Sequence, residues 1–208
     1  MKSANKIMGR VYVFRHGQSY DNYRKIFSGF RNSKLTKKGV SDAKILAKKL
    51  KDKKIDIGFT SHLFRMKRTL AEALKYHKKV LTIIDDRIIE RCYGDLQGTS
   101  KSKLEATDSK KYQIYHRSYS TSPPGGESIK MVEKRVFSFC RDLEKFIKKE
   151  GINVAIVCGN NSMRALRRYF EKLTVKEMME QENNCINYVE YKIECIIKEV
   201  NSQRLLAA

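Results

Sequence analysis

Two rhythms of apolar and polar positions alternate along the chain. Short apolar runs occur at Val11–Phe14, Ile55–Phe59, Val80–Ile84 and Ile152–Cys158, the last being the most apolar. Runs of this length read as buried strands. Between them the spacing becomes helical. Thr36 is a natural N-cap, and behind it Val40, Ala43, Ala47 and Leu50 recur on one face with lysines between them. The spacing also predicts helices over 62–76, over 127–149 (Ile129, Val132, Val136, Phe139, Leu143, Phe146) and over 162–173. Residues 188–200 alternate and are β-branched, which predicts one or two late strands, antiparallel at an edge. Alternating strands and helices predict an α/β three-layer sandwich, with a mostly parallel central sheet and helices on both faces. Such sheets bind ligands at the carboxyl ends of their strands. Attention therefore falls on the segments after Phe14, Phe59, Ile84 and Val157.

Composition narrows the picture. A chain of 208 residues with 41% hydrophobic content suits a single globular domain spanning 1–208. Its five cysteines are odd in number and show no CxxC or zinc spacing, so they read as reduced core residues. The first residues carry no apolar signal region and no apolar run reaches membrane-spanning length, which leads us to expect a cytoplasmic protein without membrane association. No acidic cluster has metal-ligand spacing, so no metal is expected. The net charge is +21, with lysines clustered at 48–54, 75–79, 101–111 and 145–149. The plain reading is a solvated surface; the sharper one is a field that attracts anions, phosphorylated metabolites or nucleic acid. The lysine runs lack interleaved aromatics, which argues against nucleic acid. The oligomeric state is not fixed by the sequence, and a homodimer is compatible with it.

The four strand ends carry the chemistry. They hold Arg15-His16-Gly17 with Asn22 close behind, Thr60-Ser61 followed by Arg65 and Thr69, the run Glu90-Arg91-Cys92-Tyr93-Gly94, and Gly159-Asn160-Asn161-Ser162 followed by Arg164. Phosphoryl transfer needs an unprotonated nucleophile, cations on the phosphoryl oxygens and a group that handles the leaving-oxygen proton. His16 would be the nucleophile, its other ring nitrogen donating to a fixed acceptor that sets the tautomer. Arg15 and Arg65 offer donor forks matched to phosphate. Glu90 would serve as acid and then base, although it also stands beside Arg91 and would pair with it in a purely structural role.

These motifs, with Leu35-Thr36-Lys37-Lys38-Gly39, resemble the signature of the histidine phosphatase superfamily, in family order over roughly residues 10 to 195. Within it the segment Glu90–Gly98 is similar to the cofactor-dependent phosphoglycerate mutases, as are Phe27-Ser28-Gly29-Phe30, Lys101 and His116-Arg117. The resemblance implies catalytic roles for His16, Glu90, Arg15 and Arg65. It implies substrate contacts from Asn22, Ser28, Gly29, Tyr93, Lys101, His116, Arg117 and Asn161. It also implies a small phosphorylated metabolite as substrate and, for a mutase, 2,3-bisphosphoglycerate as the priming phosphate donor. Pro124-Gly125-Gly126-Glu127-Ser128, a missing insertion before it and a short tail after Val200 look instead like the phosphatase branch, where a more open site favours hydrolysis.

One departure stands out. Gly159 occupies the position of the family's second histidine, a donor to the transferring phosphoryl group; losing such a donor typically costs ~10²–10³ in rate. A weakened enzyme, an inactive form and a pseudoenzyme that binds phosphorylated ligands all remain open. The same segment reads Cys158-x5-Arg164, the spacing of cysteine phosphatases, but the histidine pattern already explains it. Without that pattern Arg164 would read as a helix-surface charge, and His62 and His77 as surface residues.

Overall fold

In a computed structural model the structure describes residues 8–195. In chain order the elements are β1 (Met8–Arg15), α1 (Tyr20–Tyr23), α2 (Lys37–Leu50), β2 (Ile57–Thr60), α3 (Phe64–Ala73), β3 (Leu81–Ile84), α4 (Lys101–Thr107), α5 (Ser109–Arg117), α6 (Ile129–Glu150), β4 (Val154–Cys158), α7 (Asn160–Glu171), α8 (Val175–Glu180) and β5 (Tyr188–Glu194). The strands form one sheet in the order β3-β2-β4-β1-β5. All neighbours are parallel except β5, which runs antiparallel to β1 at the edge. The expected three-layer α/β sandwich is what forms.

Strand periodicity divides the core into two layers. Val11 and Val13 of β1, with Val154, Ile156 and Cys158 of β4, pack against Val132, Val136, Phe139 and Leu143 of α6 and Met163 and Leu166 of α7. Tyr12, Phe14, Ala155 and Val157 face the other way, onto Leu46 and Leu50 of α2 and Met66, Leu70 and Ala73 of α3. Each fully buried large side chain contributes about 1.5–3 kcal/mol, and β1 and β4 carry them on both faces. A third, smaller cluster of Phe27, Tyr93 and Tyr112 seats α4 and α5 over the sheet end.

Several boundaries differ from the sequence reading. The helix expected from 62 begins at Phe64, because Leu63 is extended and His62 pairs with Asp86. The helix expected from 162 begins at Asn160, directly off β4. The helices α1, α4, α5 and α8 are short, and α4 and α5 lie in a lysine-rich stretch where apolar periodicity is weak. Strand β3 is an exposed edge: Leu81 and Ile84 are 63% and 53% accessible. The expectations for the first residues, for 196–200 and for the tail beyond lie outside the described residues.

Two glycines allow β1 to deliver its last residues to the site. A Cβ on Gly17 would lie 2.8 Å from the carbonyl carbon of Gly39, and one on Gly39 would lie 2.8 Å from the Gln18 nitrogen. The loop after β1 and the first turn of α2 thus meet backbone to backbone. Thr36 caps that turn, accepting from the Gly39 N–H at 3.0 Å while its hydroxyl donates to the Gln18 side chain at 2.9 Å. Because the obstruction is backbone, no rotamer change relieves it. Gly39→Ala is expected to cost about 1–3 kcal/mol, read as a lower urea midpoint at unchanged slope; a midpoint equal to the parent's would mean the loop moves aside freely.

Candidate active site

The carboxyl ends of the parallel strands converge on one cavity of about 90 Å³. It is lined by Arg15, His16, Asn22, Ser28, Gly29, Arg65, Glu90, Tyr93, Lys101, His116, Arg117, Asn160, Asn161 and Arg164. All twelve site residues singled out from the sequence are among them, although they come from nine separate stretches of chain. Asn160 and Arg164 complete the lining. Arg164 is not the surface charge its helical position suggested: it is 5% exposed, and its Nε donates to the Gln181 carbonyl at 2.8 Å.

His16 is 2% exposed. Its Nδ1 lies 2.7 Å from the Gly17 carbonyl, which only accepts, so Nδ1 carries the proton and Nε2 keeps its lone pair. Arg65 Nε approaches that lone pair at 3.4 Å. Burial and the adjacent Arg65 and Arg15 guanidinium groups hold the imidazole well below its ordinary pKa, so the ring is neutral at physiological pH. Thr69 ties the loop to α3: it accepts from the Gly17 N–H at 3.2 Å and donates to the Arg65 carbonyl at 2.7 Å.

Arg65 also builds the opposite wall. Its terminal nitrogens donate to the carbonyls of Arg31 and Gly29, both at 2.8 Å. Buried Asp21 accepts from the Ser28 hydroxyl at 3.1 Å and fixes the same loop. The Lys101 ammonium lies 5.4 Å from the centre of the Phe27 ring, and burial lowers its pKa. His116 packs among Phe27, Tyr93 and Tyr112, and burial followed by the nearby Lys101 and Arg117 charges pulls its pKa down to about 3. Two buried polar atoms of the lining, Arg15 Nε and His116 Nδ1, have no partner among the described residues.

Glu90 is held differently from the alternative pairing with Arg91. The Arg91 guanidinium reaches the carbonyls of Glu127, His116 and Thr121, while only its backbone N–H donates to Glu90 Oε1, at 2.7 Å. Glu90 Oε2 accepts from the Asn160 N–H at 2.8 Å, and Oε1 accepts from Asn161 Nδ2 at 3.1 Å and from the Asn161 N–H at 3.3 Å. Glu90 therefore caps α7, where Gly159 offers no side-chain cap. A Cβ at position 159 would lie 2.5 Å from the Glu90 carboxyl carbon. The volume next to Gly159 is filled by the carboxylate, so a histidine there and Glu90 in this place exclude one another. Gly159 has φ −76° and ψ 167°, open to any residue. Burial opposes ionisation of Glu90, but the Arg91 backbone donor, the Arg65 charge and the Asn161 side chain outweigh it, and its pKa is lowered.

Residues the sequence reading left aside hold this segment. Arg135 of α6 binds both Glu127 oxygens and donates to the Arg87, Ile89 and Glu90 carbonyls. Ser162 donates to the Ile89 carbonyl. Arg135 occupies a helix position whose only sequence signal is a charge between core residues. Cys158, by contrast, is fully buried in β4, and burial pushes its thiol pKa far up, so it supplies no thiolate for a cysteine-phosphatase reaction.

The family model for the histidine phosphatase superfamily (branch 1) matches residues 11–202. This chain belongs to that superfamily. It is 38% identical over 176 residues to a 2,3-bisphosphoglycerate-dependent phosphoglycerate mutase of Methylobacterium, covering 81% of this chain and 84% of the relative. It is 35% identical over 170 residues to the mutase of that name from Cytophaga hutchinsonii, covering 81% and 80%. Among solved structures it shares the fold of a mycobacterial glucosyl-3-phosphoglycerate phosphatase, with TM-score 0.76, 21% identity and coverage of 88% and 89%. The α-ribazole phosphatase of Shigella flexneri superposes with TM-score 0.72 at 23% identity, covering 81% and 83%. The described residues contain no group of three or more His, Cys, Asp or Glu side chains that could hold a metal ion, and no described helix is long and apolar enough to cross a membrane.

The two buried neutral histidines give a pH signature. Unfolded, each titrates near 6.5; folded, each resists protonation. Below about pH 6.5 the unfolded chain therefore binds protons that the folded chain does not, and stability falls with pH by up to ~1.4 kcal/mol per unit for each histidine. The lowered Glu90 carboxyl adds its own loss only below its ordinary 4.5. Between about pH 6.5 and 5 the slope of stability against pH in His116→Phe should be near half the parent's, measured by urea unfolding. An unchanged slope would contradict the assignment of His116.

Proposed function

We propose that this protein transfers phosphoryl groups of small phosphorylated metabolites through a phosphohistidine on His16, as a mutase or a phosphatase. The observation that carries the reading is the Nε2 lone pair of a buried, neutral His16, which faces a cationic cavity beside Arg65. Nε2 attacks phosphorus while Arg15 and Arg65 neutralise the phosphoryl oxygens. Lys101, Arg117, Arg164 and neutral His116 receive the rest of an anionic substrate. Glu90 exchanges the proton of the leaving or attacking oxygen. The names of the 35–38% identical relatives support a mutase primed by 2,3-bisphosphoglycerate. The lining suits that polyanion: five guanidinium or ammonium groups face one carboxylate, and Arg15 Nε and His116 Nδ1 await partners. Transfer to water in place of a second hydroxyl makes the same site a phosphatase.

A second reading, a binding protein without turnover, is favoured by Gly159 alone. The two are separated by incubating the protein with 3-phosphoglycerate, with and without 2,3-bisphosphoglycerate, and following labelled phosphate on the protein, 2-phosphoglycerate and free phosphate. His16→Ala should lose covalent label and product formation by ~10³-fold or more. Label retained in that variant would remove the proposal, and binding without label or product in the parent would favour the second reading.

A further inference from the structure

A phosphohistidine cycle makes opposite demands on Glu90. Forming phospho-His16 from an alkyl ester expels an alkoxide that an acid must protonate; returning the phosphoryl group to water needs a base. The seat of Glu90 favours the second task. Its two oxygens receive hydrogens from the Arg91, Asn160 and Asn161 backbone and from Asn161 Nδ2, at 2.7 to 3.3 Å. All four donors address the anion, and a carboxylate with two or three backbone N–H partners is a weak proton source. The first turn of α7, a twelve-residue helix, adds its dipole to the same effect. This seat exists because residue 159 has no side chain: a Cβ there would lie 2.5 Å from the carboxyl carbon and 2.8 Å from Cβ of Glu90.

Resting on the phosphohistidine reading above, we infer that the site prefers phosphoryl donors whose leaving group departs unprotonated, namely acyl phosphates, phosphoanhydrides and aryl phosphates, over alkyl phosphate esters, and that Gly159 sets this preference by seating Glu90. In the first step the His16 Nε2 lone pair forms the N–P bond while the P–O bond breaks. The bond's electron pair stays on the leaving oxygen, which departs as carboxylate, phosphate or phenolate. In the second step a water oxygen attacks phosphorus and gives its proton to the Glu90 carboxylate. The N–P bond breaks, its electrons return to Nε2, and Glu90 passes the proton to solvent. Alkyl esters such as phosphoglycerates follow the same path slowly, because their leaving oxygen needs the disfavoured protonated form of Glu90 in the first step.

The test is the kcat/KM of the intact protein for label transfer to His16 from acetyl phosphate, 4-nitrophenyl phosphate, glycerol 3-phosphate and 3-phosphoglycerate. The first two should exceed the last two by ~10²–10⁴-fold, the range a positioned acid supplies. Similar values for all four would overturn the inference and leave the phosphohistidine reading standing; no label from any donor would remove both. Gly159→Ala separates the seat of Glu90 from the addition of a new donor, since a methyl group displaces the carboxylate and brings no hydrogen bond. It should raise the alkyl-to-aryl ratio by ~10-fold or more, as should Gly159→His. A folded Gly159→Ala protein with the parent's ratio would refute the role of Gly159, and if neither variant folds the donor series of the parent still decides.

Discussion

The bond from His16 Nδ1 to the carbonyl of its own neighbour, Gly17, is the interaction on which the chemistry of the site rests. An imidazole free to choose its tautomer would present a lone pair toward the cavity only part of the time. Here the carbonyl accepts and never donates, so the proton is assigned to Nδ1 and the lone pair to Nε2. That carbonyl is aimed by the backbone contact of Gly17 with Gly39 and by the hydroxyl of Thr69 on α3. His16 is thus positioned by two helices and a strand, each fixed in turn by the apolar layers on the two faces of β1. Rigid support of this kind is what a reacting atom needs to stay aligned.

A buried carboxylate is costly unless fully partnered. Glu90 meets that requirement with four hydrogen bonds, three of them from backbone. Around it the Arg91 side chain donates to carbonyls and Arg135 to carbonyls and the Glu127 carboxylate, so the segment is held without a direct ion pair to Glu90. A single glycine thereby does two things. It removes a side chain from the N-cap of α7, and it lets a neighbouring carboxylate become that cap. The sequence presents Gly159 as a missing donor, whereas the structure presents it as the space in which another residue has settled.

Much of the layout was legible in the chain. Short continuous apolar runs and period-3.6 stripes placed β1, β2, β4, α2 and α6 to within a few residues, and the rule of strand carboxyl ends pointed to four loops that line the cavity. Of the residues lining the cavity, Arg15, His16, Arg65 and Glu90 could be picked out by side-chain type after strand ends, whereas Ser28, Gly29, Lys101, His116 and Arg117 came from the family resemblance alone. Less legible was whatever depends on distant chain segments meeting. Arg164 has the spacing of a surface residue and is buried because the Gln181–Glu182 turn covers it. Arg135 looks like one more charge on a basic helix and is held by carbonyls some forty-five residues away. The seat of Glu90 depends on residues 90 and 159 sharing one volume, and no local pattern records that.

The cavity concentrates positive charge. Arg15, Arg65, Lys101, Arg117 and Arg164 converge on a space with one carboxylate, and that carboxylate is already committed to backbone donors. Burial lowers the pKa of Arg65, Lys101 and Arg164 and of neutral His116, so each of them holds less charge stabilisation than it would in water. Like charges held together in a poorly solvated space repel, and the fold's apolar layers bear that cost. On the proposed reading an anionic substrate relieves the repulsion, its phosphoryl group at Arg15 and its remainder at His116, whose Nε and Nδ1 atoms respectively lack partners among the described residues. On that reading the phosphoryl end anchors the ligand, and discrimination between ligands passes to what leaves that phosphoryl group, the step that we infer the seat of Glu90 governs.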